Sequence, residues 1–403
     1  MNTLGLNEIV AKLPVISVLA SLFYILIFAC LLSPQLRRWL DCQLTMPKPT
    51  NQSKIDGLDA LRGLAALFIA SFHAWQWNQP FFDINSQAFP PLVEGTKAVP
   101  IFVVLSGFLI WRAARKTANQ EDLRRYARNR FLRVAPLYIA TIFVATLFGI
   151  MSNDVLPPQR LVAELFFLPS IGFPNISNPP TWSLYPEILF YISVPIFAAS
   201  FPSRKHLQWI VPALAFIILS ITDYEAPRQF GLAKYFAMGI LVSEINDIWP
   251  AKFSATLAFL FFVLGCYLLN LEITNNNWSK FIVEGLSPFI LVSHREPAHT
   301  IGLAVAVALI TLGICNNNLL NNFFSFQVFR WLCAISFGVF MWHSFILLSD
   351  FPLKFSTAGT VKLSASFVGT APWWAFPGIL IPAFLFVGIV SFILIERPFL
   401  LRK

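Results

Sequence analysis

Charged residues are scarce in this chain, and their scarcity is the first guide to its class. Asp, Glu, Lys and Arg make up 12% of the 403 residues, whereas hydrophobic residues make up 57%. A soluble domain has about a quarter charged residues, so the composition excludes an ordinary soluble protein and predicts an integral membrane protein. No long polar segment is left from which a second, soluble domain could form.

Cysteine motifs and several common catalytic motifs are also missing. The five cysteines are scattered, mostly within apolar stretches, without a CxxC pair or the spacing of metal ligands. The sequence therefore predicts neither a disulfide framework nor a metal site, and the cysteines are interpreted as small hydrophobic residues. GxSxG, GxGxxG and P-loop patterns are absent, and no internal repeat is visible, which disfavours a transporter built from repeats.

Apolar stretches of membrane-spanning length recur along the whole chain. Stretches of ~20 apolar residues predict an all-α, polytopic membrane helix bundle with about ten or eleven transmembrane helices. The candidate spans lie near residues 13–33, 58–78, 97–112, 131–151, 182–201, 207–222, 230–246, 253–271, 298–315, 328–349 and 373–395. Segment 281–293 is apolar but short, which is compatible with a re-entrant piece. The N-terminus lacks a basic region and a clean cleavage site, so its apolar stretch is expected to be a retained span.

The formal net charge is +9, and its placement argues against a nucleic-acid partner. Basic residues cluster after the first span, in 112–133 with eight Arg or Lys against two acids, in 203–206 and at the C-terminus. All four clusters fall on one side if the spans alternate. Positive loops face the cytoplasm, so we expect the N-terminus outside and the C-terminus in the cytoplasm.

The stretch around residues 57–75 carries three ionisable side chains in an apolar helix. Arg62 and His73 are eleven residues apart, which places them within about 20° on one helix face and ~16 Å apart along the axis. Asp59 lies one turn before Arg62 on that face. A salt-bridged helix end would explain Asp59 and Arg62. An imidazole deep in the membrane is costly and can transfer protons near neutral pH, which favours a functional role for His73.

Two arginines lie where the fourth predicted span enters the membrane. Arg130 and Arg133 are three apart and share a helix face. Their guanidinium groups suit a phosphate-bearing ligand that arrives from the cytoplasm. The alternative is that they only anchor the helix at the positive-inside interface.

The stretch 179–197 places a carboxylate inside an apolar helix. Glu187 would stay protonated or require a partner there. We expect it at a depth comparable to that of His73, where a Glu–His pair would orient the imidazole as a general base. A structural salt bridge is the alternative. The neighbouring polar and aromatic residues are Trp182, Ser183, Tyr185 and Tyr191.

Two further sites belong to the candidate set. Ser106 and Gly107 lie in 103–110, where small residues allow close helix approach. His343 lies near the outer end of an outward-running helix. It is interpreted either as a residue on the acceptor side or as a structural residue. His294 and His299 are five apart with a proline between them, which is typical of loop histidines.

These stretches resemble acyltransferase family 3 membrane proteins. Seven of them occur in the order seen in that family, from about residue 55 to 400: LDALRGLAALFIASFHAW, IFVVLSGFLIWR, RNRFLRVAPLY, TWSLYPEILFY, YFAMGILVSEI, SFGVFMWHSFI and LIERPFL. The resemblance implies a membrane domain over 55–400. Residues 1–54 would add an extra transmembrane span and a basic cytoplasmic loop that many members lack.

The resemblance also implies roles for individual residues. The family's Arg/Lys–ten residues–His motif falls on Arg62 and His73, its R-x-x-R motif on Arg130 and Arg133, and its W-S-L-x-x-E glutamate on Glu187. Its late serine–glycine–histidine strip falls on Ser336, Gly338 and His343. The chain departs from the family at Tyr185-Pro186, where a proline could reshape the pore mouth. It also lacks the extra hydrolase-like domain of some members, so a periplasmic partner protein or direct transfer would complete the reaction.

The reaction that this resemblance implies is acyl transfer in the bacterial inner membrane. Acetyl-CoA would be the donor, and a hydroxyl of an extracytoplasmic glycan or lipid-linked saccharide the acceptor. Arg130 and Arg133, assisted by Arg62, would hold the donor phosphates, and His73 would act as a base or carry the acyl group. The alternatives are a transporter or flippase for a lipid-linked glycan, and a membrane-bound O-acyltransferase of the unrelated type.

Overall fold

The computed structural model describes ten stretches of the chain. They are residues 19–45, 56–78, 95–151, 157–168, 178–200, 209–222, 230–248, 254–273, 301–347 and 376–401. Within these stretches the secondary structure is helical, without a strand. The predictions for segment 281–293, for His294 and His299, and for the outer loops beyond these ranges lie outside the described residues.

The first half of the chain contributes seven α-helices. They are α1 (Leu19–Leu32), α2 (Pro34–Leu44), α3 (Asp56–Asn78), α4 (Ala98–Ala114), α5 (Gln120–Met151), α6 (Pro158–Leu165) and α7 (Leu184–Ala199). Short 3₁₀ turns precede α4 at Gly95–Lys97 and α7 at Pro179–Ser183.

The second half contributes eight more. They are α8 (Ile210–Thr222), α9 (Ala233–Ile248), α10 (Ala255–Ile273), α11 (Ile301–Asn316), α12 (Asn318–Phe323), α13 (Gln327–Leu347), α14 (Ile381–Ser391) and α15 (Arg397–Leu400). A 3₁₀ turn at Phe230–Leu232 precedes α9. Two π-helical turns, Phe376–Leu380 and Phe392–Glu396, flank α14.

Several of these helices can cross a membrane. In the described part of the chain, five are long and apolar enough to do so, or six if the bent pair α1–α2 counts as one span. Three shorter apolar helices occupy the predicted spans near 97–112, 207–222 and 298–315. The helical membrane class is therefore confirmed, whereas ten or eleven spans and the orientation of the termini stay predictions.

The segment after the first span differs from the expected loop. Residues Pro34–Leu44 form a helix that is bent by 119° from α1. Pro34 cannot continue a preceding helix, and the Ser33 hydroxyl accepts a hydrogen bond from the Leu36 amide at 3.3 Å, which starts a new one. A proline directly after a serine N-cap, followed by an amphipathic stretch, is the local cause of the bend and of the second helix.

Helix α5 begins inside the segment that was expected to be a basic loop. The Asn119 side chain accepts a hydrogen bond from the Asp122 amide at 2.9 Å and caps the first turn. Glu121 and Asp122 lie in that turn, where carboxylates interact favourably with the helix dipole. The basic cluster is therefore partly helical, and it presents Arg130 and Arg133 from a continuous helix.

Helix pairs that lie side by side hold the bundle together. Helix α3 packs on α13 and on α4, α4 packs on α9, and α10 packs on α11. At Gly63 an added Cβ would lie 2.7 Å from the Leu332 Cβ and 2.9 Å from the Cys333 amide nitrogen. The close contact of α3 with α13 therefore requires glycine at this position.

The contact between α4 and α9 gives a first testable prediction. An added Cβ at Gly239 would lie 2.8 Å from the Gly107 Cα, where only a shift of backbone could make room. We expect Gly239→Ala to lower the free energy of unfolding by about 1–3 kcal/mol through overpacking. Thermal unfolding of the purified protein in detergent measures this loss of stability. Gly338→Ala is the matched control, because its added Cβ has no neighbour closer than 3.2 Å. Equal losses from both variants would contradict this account of the α4–α9 crossing.

Candidate functional site

A hydrogen-bonded chain of four side chains connects helices α3, α4 and α7. Arg62 Nη2 donates to Ser106 Oγ at 3.2 Å, and Ser106 Oγ donates to Glu187 Oε1 at 2.7 Å. The Tyr191 hydroxyl donates to the same carboxylate oxygen at 2.7 Å. Glu187 and Tyr191 are four apart, so they lie on one face of α7. Ser106 therefore connects the arginine to the carboxylate.

Arg130 approaches this chain from helix α5. Its guanidinium carbon lies 5.5 Å from the centre of the Tyr126 ring and 5.8 Å from that of Tyr191. The Tyr126 hydroxyl donates to the backbone oxygen of Tyr191 at 3.1 Å and fastens α5 to α7. The two rings hold the guanidinium by cation–π contact, which leaves its N–H groups available for a ligand.

These side chains surround a cavity of about 80 Å³. Its lining comprises Arg62, Ile69, Val99, Phe102, Val103, Ser106, Arg130, Arg133, Val134, Ser183, Leu184, Glu187, Tyr191, Ser336, Phe337 and Phe340. Among the lining residues, three guanidinium groups face one carboxylate, Glu187, and Glu396 interacts electrostatically with Arg133 from outside the lining. A cluster of cations in a largely apolar setting attracts an anion.

Two arginine atoms in this cavity are left without a partner. Within the described residues, the buried Nε atoms of Arg62 and Arg130 have no hydrogen-bond acceptor. A buried donor without an acceptor is costly, and more so when it belongs to a charged group. Both atoms would be satisfied by an anionic ligand, and phosphate oxygens match guanidinium geometry well.

His73 and His343 form a stacked pair. The ring centres of His73 and His343 are 5.2 Å apart, with 14° between the ring planes. His343 is fully buried, and its Nδ1 lies 2.7 Å from the backbone oxygen of Phe340. A carbonyl only accepts hydrogen bonds, so Nδ1 carries a proton and donates it in this contact.

Helices α3 and α13 run parallel, and they connect the cavity to the histidine pair. Gly63 lies against Leu332 and Cys333, and ten residues later His73 lies against His343. Ile69 and Phe340 line the cavity and precede the two histidines by about one turn each. The lining of the arginine cavity therefore stops about one turn short of the two imidazoles, and neither His73 nor His343 is part of it.

The expected pairing of Glu187 with His73 is wrong in the described structure. The hydrogen bonds of Glu187 go to Ser106 and Tyr191, and the ring of His73 stacks on His343. Glu187 lies in the first turn of α7, level with Ser106 and Arg62 and not with the imidazole. Two hydroxyl donors satisfy the carboxylate at that level, which removes its need for a histidine partner.

The other candidate residues divide into two groups. Ser183 and Ser336 line the arginine cavity, whereas Asp59 and Trp182 do not. Trp182 packs against the main hydrophobic core, and Gly338 lies where α13 approaches Gly388 of α14. Pro186 was expected at the pore mouth, but it is buried on a different face of α7 and lines a second, apolar cavity.

Sequence reasoning missed two buried polar residues beside the site. Asn178 donates to the backbone oxygen of Met341 at 3.0 Å and accepts from Ser344 at 2.7 Å, which ties the turn before α7 to α13 next to His343. Glu396 is buried in the second π-helical turn, and its Oε1 lies 3.3 Å from where a Cβ on Gly338 would be. The signal for Glu396 was an acid within the last apolar span, in LIERPFL.

Comparison with known proteins identifies the domain. The family described as "Acyltransferase domain" matches residues 55–393. "Acyltransferase MdmB" of Streptomyces mycarofaciens is 28% identical over 236 residues, which cover 54% of this chain and 57% of that protein. "Putative peptidoglycan O-acetyltransferase YrhL" of Bacillus subtilis (strain 168) is 23% identical over 349 residues, 76% of this chain and 51% of that protein.

The chain spans about half the length of these curated relatives. No solved structure matches it. The family match covers most of the chain and includes the helices that carry the arginines, Glu187 and both histidines. The predicted family is therefore confirmed, and this chain belongs to acyltransferase family 3.

Proposed function

We propose that the protein is a membrane-embedded O-acyltransferase that takes an acyl group, acetyl above all, from cytoplasmic acyl-CoA. The acceptor is a hydroxyl of an extracytoplasmic glycan or a lipid-linked saccharide. The observation that carries this proposal is the arrangement along α3 and α13: a cavity is lined by three arginines and one carboxylate, and a stacked histidine pair lies about one turn beyond its lining residues Ile69 and Phe340. The arginine cavity suits an anionic ligand, and the histidine pair suits proton transfer or nucleophilic attack.

The arginine cavity binds the donor phosphates. Arg130, held between two tyrosine rings, and Arg133 lie on one face of α5, and Arg62 joins them from α3. Glu187 is a positioning residue in this scheme, because it holds Ser106 and Tyr191, which in turn contact Arg62 and Arg130. Its single negative charge also limits the repulsion between the three guanidinium groups.

His73 performs the chemistry by one of two routes. As a base, it removes the proton from the acceptor hydroxyl, whose oxygen attacks the thioester carbonyl; the C–S bond breaks and the CoA thiolate receives the proton. As a carrier, its imidazole nitrogen attacks the thioester carbonyl first; the C–S bond breaks, and CoA leaves as the thiol with the imidazole proton. The acceptor hydroxyl then attacks the acyl-imidazole, the C–N bond breaks, and the hydroxyl proton returns to the imidazole. The ring of His343 stacks on that of His73 and limits the orientations that the His73 imidazole can take.

The acceptor proposal rests on the relatives and on the family resemblance. A relative named as a putative peptidoglycan O-acetyltransferase supports a glycan hydroxyl. The family resemblance supports an acceptor on the outer side of the bacterial inner membrane. A periplasmic partner protein would then receive or position the glycan. Trp373 and Trp374, which could stack on a sugar ring, lie outside the described residues.

A thiol-release assay tests the proposed function directly. Purified protein in proteoliposomes is mixed with acetyl-CoA, and free CoA thiol is measured with and without a soluble peptidoglycan fragment as acceptor. An acyltransferase releases CoA and transfers the acetyl group, whereas a transporter or flippase does neither. Absence of both thioester cleavage and transfer in folded protein would reject the proposal.

The positioning role of Glu187 gives a second prediction. We expect Glu187→Gln to lower kcat/KM for acetyl-CoA about 10- to 100-fold, since the amide forms weaker hydrogen bonds with Ser106 and Tyr191 and removes the negative charge nearest Arg62. Glu187→Asp should recover part of the loss. The matched control is Glu121→Gln on the exposed start of α5, where Glu121 pairs only with Arg125 at 3.3 Å. A Glu187→Gln enzyme as active as this control would remove Glu187 from the site.

A further inference from the structure

Helix α7 separates two cavities of opposite character. Leu184, Glu187 and Tyr191 face the arginine cavity. Pro186, Leu189, Phe190, Ser193 and Phe197 face a second cavity of about 400 Å³. At 100° per residue, the two sets point about 140° apart around the helix axis. The second cavity is therefore a separate space behind the wall that carries Glu187.

The second cavity offers no polar group to a ligand. Its remaining walls come from α4, α8 and α9 and are apolar. The Ser193 hydroxyl donates to the backbone oxygen of Phe190, and Trp111 Nε1 donates to Glu244, so both polar atoms in the lining are already satisfied. A sugar or a nucleotide would lose its hydrogen bonds to water here without replacement, which excludes both.

The cavity opens on the outer apolar surface of the bundle. Phe197 and Val211 both line it, and they are 61% and 43% exposed. The surface around this opening is apolar and exposed as well, through Ile196, Leu214 and Ile218. In a membrane, such a surface faces the hydrocarbon of the bilayer. The opening therefore meets lipid chains and not water.

We propose that this cavity binds one acyl chain of a bilayer phospholipid. Hydrocarbon is the one abundant material at the opening whose chemistry matches the lining, and an apolar space of this size would otherwise stay empty and dry. Phe190, stacked on Phe236 with ring centres 4.2 Å apart, forms a flat inner wall against which a chain can lie. A bound chain would support α7 from behind, on the helix whose other face presents Glu187 and Tyr191.

Photolabelling tests the site without any acyl donor, so its outcome is independent of the proposed function. The protein is reconstituted with phosphatidylcholine that carries a diazirine in one acyl chain, irradiated, digested and analysed by mass spectrometry. We expect α7, α8 and α9 peptides to be labelled more than the exposed face of α10 around Phe259 and Val263, which serves as the background for labelling by surrounding lipid. Labelling that does not exceed this background overturns the proposal.

Matched tryptophan variants on α8 make the test specific. Ala215→Trp places an indole in the cavity, whereas Leu214→Trp places one on the neighbouring outer face. We expect Ala215→Trp to reduce the excess labelling to the α10 background and Leu214→Trp to retain it. If Ala215→Trp fails to fold, Ala233→Trp fills the cavity from the α9 wall instead, and we expect it to reduce the excess labelling in the same way. Labelling that survives in the filled variants shows that the cavity is not the site.

Discussion

Replacing His73 with alanine is expected to lower acetyl transfer about 10²- to 10⁴-fold, the usual contribution of a positioned base or nucleophile. The imidazole lies beyond the arginine cavity, so donor binding should change little. The loss should therefore appear in kcat, with KM for acetyl-CoA nearly unchanged. Steady-state CoA release from purified protein in proteoliposomes measures both constants.

The control for this variant lies on the same helix. Phe68→Ala changes an exposed aromatic side chain of α3, on a face away from the buried contacts of that helix. It should keep wild-type transfer, which separates loss of the imidazole from damage to the helix. His343→Ala should give a smaller loss than His73→Ala, because His343 acts through its stacking contact. Wild-type transfer by folded His73→Ala protein would refute the scheme for both routes.

Removing the Arg130 side chain is expected to raise KM for acetyl-CoA about 10- to 100-fold, as a hydrogen-bonded charge contributes ~1.5–3 kcal/mol. Arg130→Lys should restore only part of the affinity, since lysine keeps the charge but lacks the planar group that lies between Tyr126 and Tyr191. At saturating acetyl-CoA, we expect Arg130→Ala to lower kcat much less than His73→Ala does.

Arg125→Ala provides the matched control for Arg130. Arg125 is on the same helix, is exposed, and pairs with Glu121 at 3.3 Å on the surface. Exposed pairs of this kind contribute little, so both kinetic constants should stay at wild-type values. If Arg125→Ala weakens donor binding as much as Arg130→Ala, a general basic surface and not the arginine cavity attracts the donor.

Much of the bundle could be predicted from composition and spacing. Long apolar stretches gave helices at the expected places, from Asp56–Asn78 to the helix over Gln327–Leu347. The i, i+3 spacing of Arg130 and Arg133 placed both in one cavity with Arg62. These results depend on hydrophobicity and helical period, which are local properties of the chain.

The contacts between distant segments could not be predicted in the same way. Nothing local shows that Ser106 connects Arg62 to Glu187, that His343 stacks on His73, or that Pro186 turns away from the arginine cavity. These contacts depend on how far each helix is displaced along its neighbour. The close approach at Gly63 fixes that displacement for α3 and α13, and a glycine alone in a sequence does not reveal its partner.

The distance between Arg62 and His73 has a consequence for which donors can react. Both residues belong to one regular helix, so their backbone positions stay ~16 Å apart along its axis. In the proposed scheme, this fixed separation selects the donor by length, because its anionic group and its reactive carbonyl must lie about that far apart. A compact donor such as an acyl phosphate, whose charge adjoins the carbonyl, can occupy the arginines or the histidine but not both.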